Sequence, residues 1–317
     1  MSVPDNYGPI DAVTKQAYSD NVALQVQLLT NKFEGSFTPI MNLQGREMQA
    51  VELVGASEAQ LDFPTNVPQE RISPKHEGVY IYPRRLTWPR TIPSNYKIEA
   101  LRDYQGPYTQ EGAAAIARAR AKIIAQGILG PRYMRNDNTG TINTVAYDWT
   151  NRIVANNYQY GGGGASSNLT PFKIIKAMEL LGYYNVDIDA SDIYMAITWK
   201  QNTALYQQLT MTNTQYTGTG RVQLEDKMVR SFMGVKFIMF GGTSNDPLGF
   251  DPTGAYRACP IWVKSGVHFG DADPLRVNIE RNPSLQYQID IFMENWIGVT
   301  RSEDEKVVAV LCDETVG

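Results

Sequence analysis

Ser265, His268 and Asp271 carry the side-chain types of a nucleophilic triad and lie close together in the chain. Triads are assembled in space from separate elements, so closeness in sequence is no evidence for one. His76 and His268 are the only imidazoles, and both read as surface or loop residues. The run Asn185-Val186-Asp187-Ile188-Asp189-Ala190-Ser191-Asp192 is rich in oxygen ligands. A calcium hand requires glycine at its sixth position and glutamate at its twelfth. Counted from Asp187, those places hold Asp192 and Thr198, so a solvated turn before a strand is expected instead. Asp271 and Asp273, followed by Pro274, are likewise a turn signal. Gly161 to Gly164 has no lysine after it and so lacks the phosphate-binding pattern. It reads as a flexible loop. Cys259 and Cys312 both sit in apolar runs and read as small buried hydrophobes, with no disulfide expected. No catalytic residue, metal ligand or cofactor site is expected.

The elements around these residues describe a mixed chain. It has 317 residues, 43% of them hydrophobic and 20% charged, with a net charge of −4. Such a length suggests about two domains, and the charge excludes a molecule dominated by a nucleic-acid-binding surface. Met1 to Gly8 has no apolar core of a signal peptide, and no run of about 18 apolar residues occurs. A soluble protein made in a cytosol is expected. Thr109 to Leu129 is the strongest helix, with Thr109 as N-cap, Glu111 near its positive end and Gly130-Pro131 as its stop. Its alanines (Ala113, Ala117, Ala121) offer a face for close approach. Thr170-Pro171 caps a second helix to about Leu181, and Trp199 to Leu209 reads as a third. Ile193 to Thr198 and Gly234 to Phe240 read as strands interleaved with these helices, an α/β unit. Upstream, Val22 to Leu29 is a short helix within an extended arm. Asn42 to Tyr82 is a long two-stranded excursion with too little apolar content for its own core. Its outward side is weakly marked by Ala50 to Val54 and Ala59 to Phe63, and Gly78 to Tyr82 leads back.

Charge is unevenly placed. From Asn42 to Tyr82 there are six acids (Glu47, Glu52, Glu58, Asp62, Glu70, Glu77) against Arg46, Arg71 and Lys75. From Pro83 to Arg135 there are ten bases against three acids, a net of +7. Solvated faces with incidental bias would account for this. So would an acidic loop of one subunit lying over a basic platform of its neighbour, or arginines touching packaged DNA at its phosphates. The residues singled out for contact between subunits are Glu58, Glu70, Arg71, Lys75, Glu77, Arg84, Arg85 and Arg90. Arg118 and Lys122 are the candidates to face DNA.

The last ninety residues hold an apolar strand entered through glycine, Phe232-Met233-Gly234-Val235-Lys236-Phe237-Ile238. A second apolar run follows at Cys259 to His268. Two further strand-like runs, Tyr287 to Val299 and Lys306 to Cys312, are read as a hairpin about the turn Thr300 to Glu305. This wording, with Gly78 to Trp88 and the Thr109 to Leu129 helix, resembles the major capsid proteins of tailed bacteriophages with the Hong Kong 97 type fold. The resemblance runs over nearly the whole chain. It implies an α+β capsid fold with an N-terminal arm (about 1–41), an extended β-hairpin loop (42–82), a peripheral domain with a long spine helix (83–150 and 269–317) and an α/β axial domain (151–268). It further implies hexamers and pentamers of an icosahedral head enclosing double-stranded DNA, assembled in a bacterial cytoplasm. The partners it implies are a separate scaffolding protein, a portal and packaged DNA, with decoration proteins as an optional addition and no membrane. Some relatives join a loop lysine to a neighbour's asparagine; Lys75 lies near the loop base, and no such crosslink is expected. The rival readings are an encapsulin-like compartment around a cargo enzyme, and an unrelated soluble α/β enzyme.

Overall fold

The computed structural model describes residues 32–40, 48–55, 76–92, 105–136, 139–159, 162–212, 222–225, 228–241, 247–285 and 288–316. They form seventeen strands and three α-helices. The chain divides into two compact units. One contains Arg85–Ala119 and Asp273–Trp296, the other Lys32–Arg84, Arg120–Ala272 and Ile297–Gly317. Helix α1 (Gln105–Leu129) and strands β15 (Val267–Asn282) and β16 (Gln288–Arg301) each have residues in both.

The larger unit is built on a seven-stranded sheet. Its strands are β7 (Ile153–Val154), β10 (Ile193–Thr198), β11 (Val222–Glu225), β12 (Met228–Phe232), β13 (Val235–Phe240), β14 (Arg257–Val263) and β17 (Val307–Cys312). Their order is β11-β12-β13-β10-β14-β17-β7. Every residue of β14 and of β17 is buried. This is why both read as continuous apolar runs, since a strand covered on both faces has no solvent side to make polar. Helices α2 (Pro171–Tyr183) and α3 (Trp199–Thr212) supply Ile174, Leu181 and Leu205 to a core shared with Met195, Ile261 and Val308. Thr170 caps α2 as the sequence predicts: its hydroxyl accepts from the Lys173 amide at 3.2 Å.

A second sheet in this unit has the order β2-β3-β5-β6, from β2 (Met48–Val54), β3 (His76–Ile81), β5 (Arg132–Asn136) and β6 (Ile142–Val145). The excursion read from the sequence therefore begins and ends as an antiparallel pair, Val54 opposite His76. It is widened by β5 and β6, two strands that follow α1 in the chain. Glu58, Glu70, Arg71, Lys75 and the run Ala59 to Phe63 lie outside the described residues, as does Val22 to Leu29.

In the smaller unit β4 (Arg84–Ile92), β16 and β15 share a sheet. Alternation puts Leu86, Trp88 and Ile92 on one face of β4. There they pack with Ile116, Ile291 and Met293 around the first half of α1. Gly112 is required here, because a Cβ would stand 2.6 Å from Trp88 and 2.8 Å from the Met293 sulfur.

Several expectations are corrected. Helix α1 starts at Gln105, so Thr109 is interior and not the cap; Pro107 fits the first turn, where a missing N–H costs no bond. The buried alanines are Ala114, Ala121 and Ala125, while Ala113 is exposed. The last two strands do not form a hairpin. β16 joins the sheet of β15 and β4, whereas β17 joins the seven-stranded sheet between β14 and β7, so the 269–317 segment contributes its final strand to the sheet of the 151–268 segment. Part of the glycine run is paired: Gly162–Gly163 (β9) lies antiparallel to Tyr158–Gln159 (β8). The arm root also has a place on its own chain. Thr38–Ile40 (β1) pairs in parallel with His268 to Gly270.

Candidate functional site

No described residues converge on chemistry. Ser265 lies in a one-turn 3-10 helix (Lys264–Gly266), and His268 is on β15 and buried. The histidine is therefore neither a surface nor a loop residue; it lies on a strand, opposite Thr38 of β1. Burial, with Lys306 adding to it and Glu303 opposing, holds the His268 pKa below its ordinary value. Asp271 is instead paired with Arg120 at 3.3 Å. Among the described residues no group of three His, Cys, Asp or Glu could hold a metal. Asp187 caps its own turn, accepting from the Ala190 amide at 3.1 Å. Cys259 and Cys312 are free and buried. The Cys259 thiol is held well above its usual pKa by hydrogen bonding to Cys312 and by burial, the opposite of what a reactive thiol needs. Among the described residues no helix is long and apolar enough to cross a membrane.

Three of the buried charged groups serve the frame. Lys173 is fully buried, and its ammonium donates to the carbonyls of Ser167 at 2.6 Å and Leu311 at 2.9 Å. Desolvation pushes its pKa down, opposed by Cys312, Cys259 and Asp313. Arg301, also fully buried, donates to Asp304 and to the Gly130 carbonyl, fixing the end of α1 to the end of β16. Arg257 donates to Glu314 at 2.8 Å and to the Leu248 carbonyl at 2.6 Å. Burial works against the Glu314 carboxylate, but hydrogen bonds from Arg257 and Gln201 outweigh it and hold its pKa low. Sequence reading missed this lattice. Nothing local marks that Lys173 will meet the Leu311 carbonyl or Arg301 that of Gly130, each more than a hundred residues away.

The residues proposed for contacts between subunits are distributed as follows. Glu77 is exposed on β3 beside His76, whose Nδ1 lies 2.9 Å from Glu52 Oε1. Arg84 and Arg85 are exposed at the start of β4, but Arg85 is engaged within its own chain. Its Nε and Nη2 donate to Glu294 at 2.8 and 3.2 Å, and Trp296 Nε1 donates to the same carboxylate at 2.6 Å. The bidentate pair raises the Arg85 pKa and lowers that of Glu294. Arg90 lies over the Tyr108 ring at 4.9 Å. Arg118 is half-buried and Lys122 exposed on α1. A cavity of roughly 630 Å³ at the Val54–His76 end of the β2–β3 pair is lined by Val54, Arg132, Met134, Tyr184 and Glu305 among others. It holds mixed charges and no convergent acid–base set.

The family described as phage capsid protein matches residues 10–314. A search of curated proteins gives no match. Solved structures with the same fold include the capsid of cyanophage Pam1, 14% identical, with 96% of this chain and 97% of that chain covered at a TM-score of 0.67. The head of Helicobacter pylori bacteriophage KHP40 is 9% identical, with 94% and 95% covered at 0.68. The capsid of Ralstonia phage GP4 is 8% identical, with 99% and 98% covered at 0.65. The chain belongs to the phage capsid protein family, and its fold is the Hong Kong 97 type that the sequence resemblance implied.

Proposed function

We propose that this major capsid protein builds an icosahedral head of hexamers and pentamers that encloses double-stranded DNA. The observation that carries the reading is the family match across 10–314, joined to a fold in which the buried Lys173, Arg257 and Arg301 bond within their own chain. In this reading 1–41 is an arm rooted by residues 32–40, and 42–82 is an extended loop based on β2 and β3. The 83–150 and 269–306 segments form a peripheral domain, and 151–268 with β17 forms an axial domain. A scaffolding protein, a portal and decoration proteins are its further partners, with assembly in the host cytoplasm.

Contact between neighbours is electrostatic in part. The acidic loop (Glu58, Glu70, Glu77, with Arg71 and Lys75) meets a basic platform on the next subunit, where Arg84 and Arg90 are the leading contacts. Arg85 takes part through the Glu294 pair that orients it. Arg118 and Lys122 touch packaged DNA at its phosphates, without sequence preference. The test is electron microscopy of purified protein, alone and with a scaffolding protein. Closed particles support the reading, and a persistent monomer that turns over a substrate overturns it.

A further inference from the structure

Beyond Gly270, the outer edge of β15 has no strand beside it among the described residues. β1 pairs only with His268, Phe269 and Gly270, and β16 lies on the other side. From Leu275 to Arg281 every residue is exposed. Leu275, Val277 and Ile279 are 40%, 46% and 39% exposed. Alternate residues share a face of a strand, so these three form an apolar row and Arg276, Asn278 and Glu280 form a polar one. Pro274, which has no N–H to give a ladder, is the kind of residue found in an edge strand. An open edge with an apolar row is a template for another strand.

We propose that this edge pairs antiparallel with the same edge of a second copy, about a local two-fold axis at Asn278. The segment Arg276-Val277-Asn278-Ile279-Glu280 is complementary to its own reverse. Centred on Asn278, Arg276 stands opposite the partner subunit's Glu280, and Val277 stands opposite the partner subunit's Ile279. Opposite charges and β-branched pairs directly across a ladder are both favourable. A slip of one residue puts apolar side chains opposite charged ones. A slip of two in either direction leaves both charges without an opposite. Within residues 276–280, one register alone satisfies every pair.

The bonds these side chains make within the chain are exposed ones. Arg276 is 3.0 Å from Asp273 with its side chain 73% exposed, and Asn278 donates to Glu280 at 2.7 Å. Such surface pairs contribute little and exchange readily. A single strand pair falls well below the roughly 1,200 Å² of a stable free-standing interface. The contact therefore does not make a dimer in dilute solution. It acts where other contacts already hold copies in place, at the two-fold positions of a closed shell, so the inference rests on the capsid reading.

The test uses the full chain under the conditions in which the wild type forms particles. Asn278→Cys places one thiol on the proposed axis; Cys259 and Cys312 are buried, and the oxidised wild type is the control. We expect oxidised Asn278→Cys particles to run as disulfide-linked dimers on a denaturing gel. We expect Arg276→Glu and Glu280→Arg each to lower particle yield by about tenfold, since like charges then oppose twice per contact. The double exchange restores yield, because the opposite charges return with their places swapped. Normal particle yield from both single reversals would show that the charges only guard the edge. That result, or particles of Asn278→Cys that remain monomeric on the gel, overturns the edge pairing and leaves the capsid reading standing. A wild-type chain that forms no particles under any condition overturns both.

Discussion

The indole N–H of Trp262 donates to the carbonyl of Ser36 at 2.8 Å, across 226 positions of sequence. Beside this bond Phe33 is fully buried, with ring centroids 4.9 Å from Phe240 and 6.0 Å from Trp262. The arm root is thus part of the core of the seven-stranded sheet.

Phe33→Ala is predicted to destabilise the fold by about 3 kcal/mol, the cost of a buried aromatic lost to a cavity. Denaturant unfolding of the unassembled chain measures it. A change within experimental error of zero would mean that the arm root is not anchored on its own chain.

Gly127 lies where a Cβ would stand 2.7 Å from Val299 Cβ and 3.2 Å from the Val299 carbonyl oxygen. Alanine gains up to about 1 kcal/mol of helix propensity over glycine. The overlap costs about 1–3 kcal/mol, so overlap wins and Gly127→Ala is predicted to lower the melting temperature. Gly35 is the contrast. Its φ of +83° strains any side chain although nothing lies within 4 Å, so there the backbone and not crowding sets the cost.

Much of this fold is legible in the sequence, and the reasons for the rest are specific. β10, β14 and β17 are legible because burial on both faces leaves unbroken apolar runs. The cap of α2 is legible because Thr170-Pro171 acts locally. β5 and β6 are not: Arg132 and Arg135 give β5 an edge-like polar pattern, which only its pairing with β3 on one side and β6 on the other explains. The destination of β17 is also hidden. A polar turn such as Thr300 to Glu305 fits a hairpin, and nothing local shows that Arg301 inside it is buried against Asp304 and Gly130. For the residues proposed to touch neighbouring subunits, charge bias was the signal in the sequence, but it could not show that Glu294, more than two hundred residues away, would claim Arg85.

The His268 pKa is depressed below the ordinary 6.5 by burial. Below pH 6.5 the unfolded chain takes up a proton that the folded chain resists, so stability is lost as pH falls from 6.5 toward the folded pKa. His268→Gln is predicted to flatten this part of the stability–pH curve. Titrated unfolding of both proteins checks it, and identical slopes would contradict the burial of the ring.

Arg84→Glu is predicted to reduce particle yield more than Arg85→Ala, because Arg84 is exposed while Arg85 is held by Glu294 in its own sheet. Glu77→Lys should partly rescue Arg84→Glu if the acidic loop and basic platform meet. Sedimentation of assembly mixtures gives the yields. Equal effects of the two single variants, or no rescue, would count against that contact.

Reconstruction by electron cryomicroscopy of particles formed by the full chain tests the central claim most directly. The account predicts closed icosahedral shells whose five- and six-fold clusters each contain this fold. Particles of another architecture, or a chain that remains monomeric with and without a scaffolding protein, would contradict it.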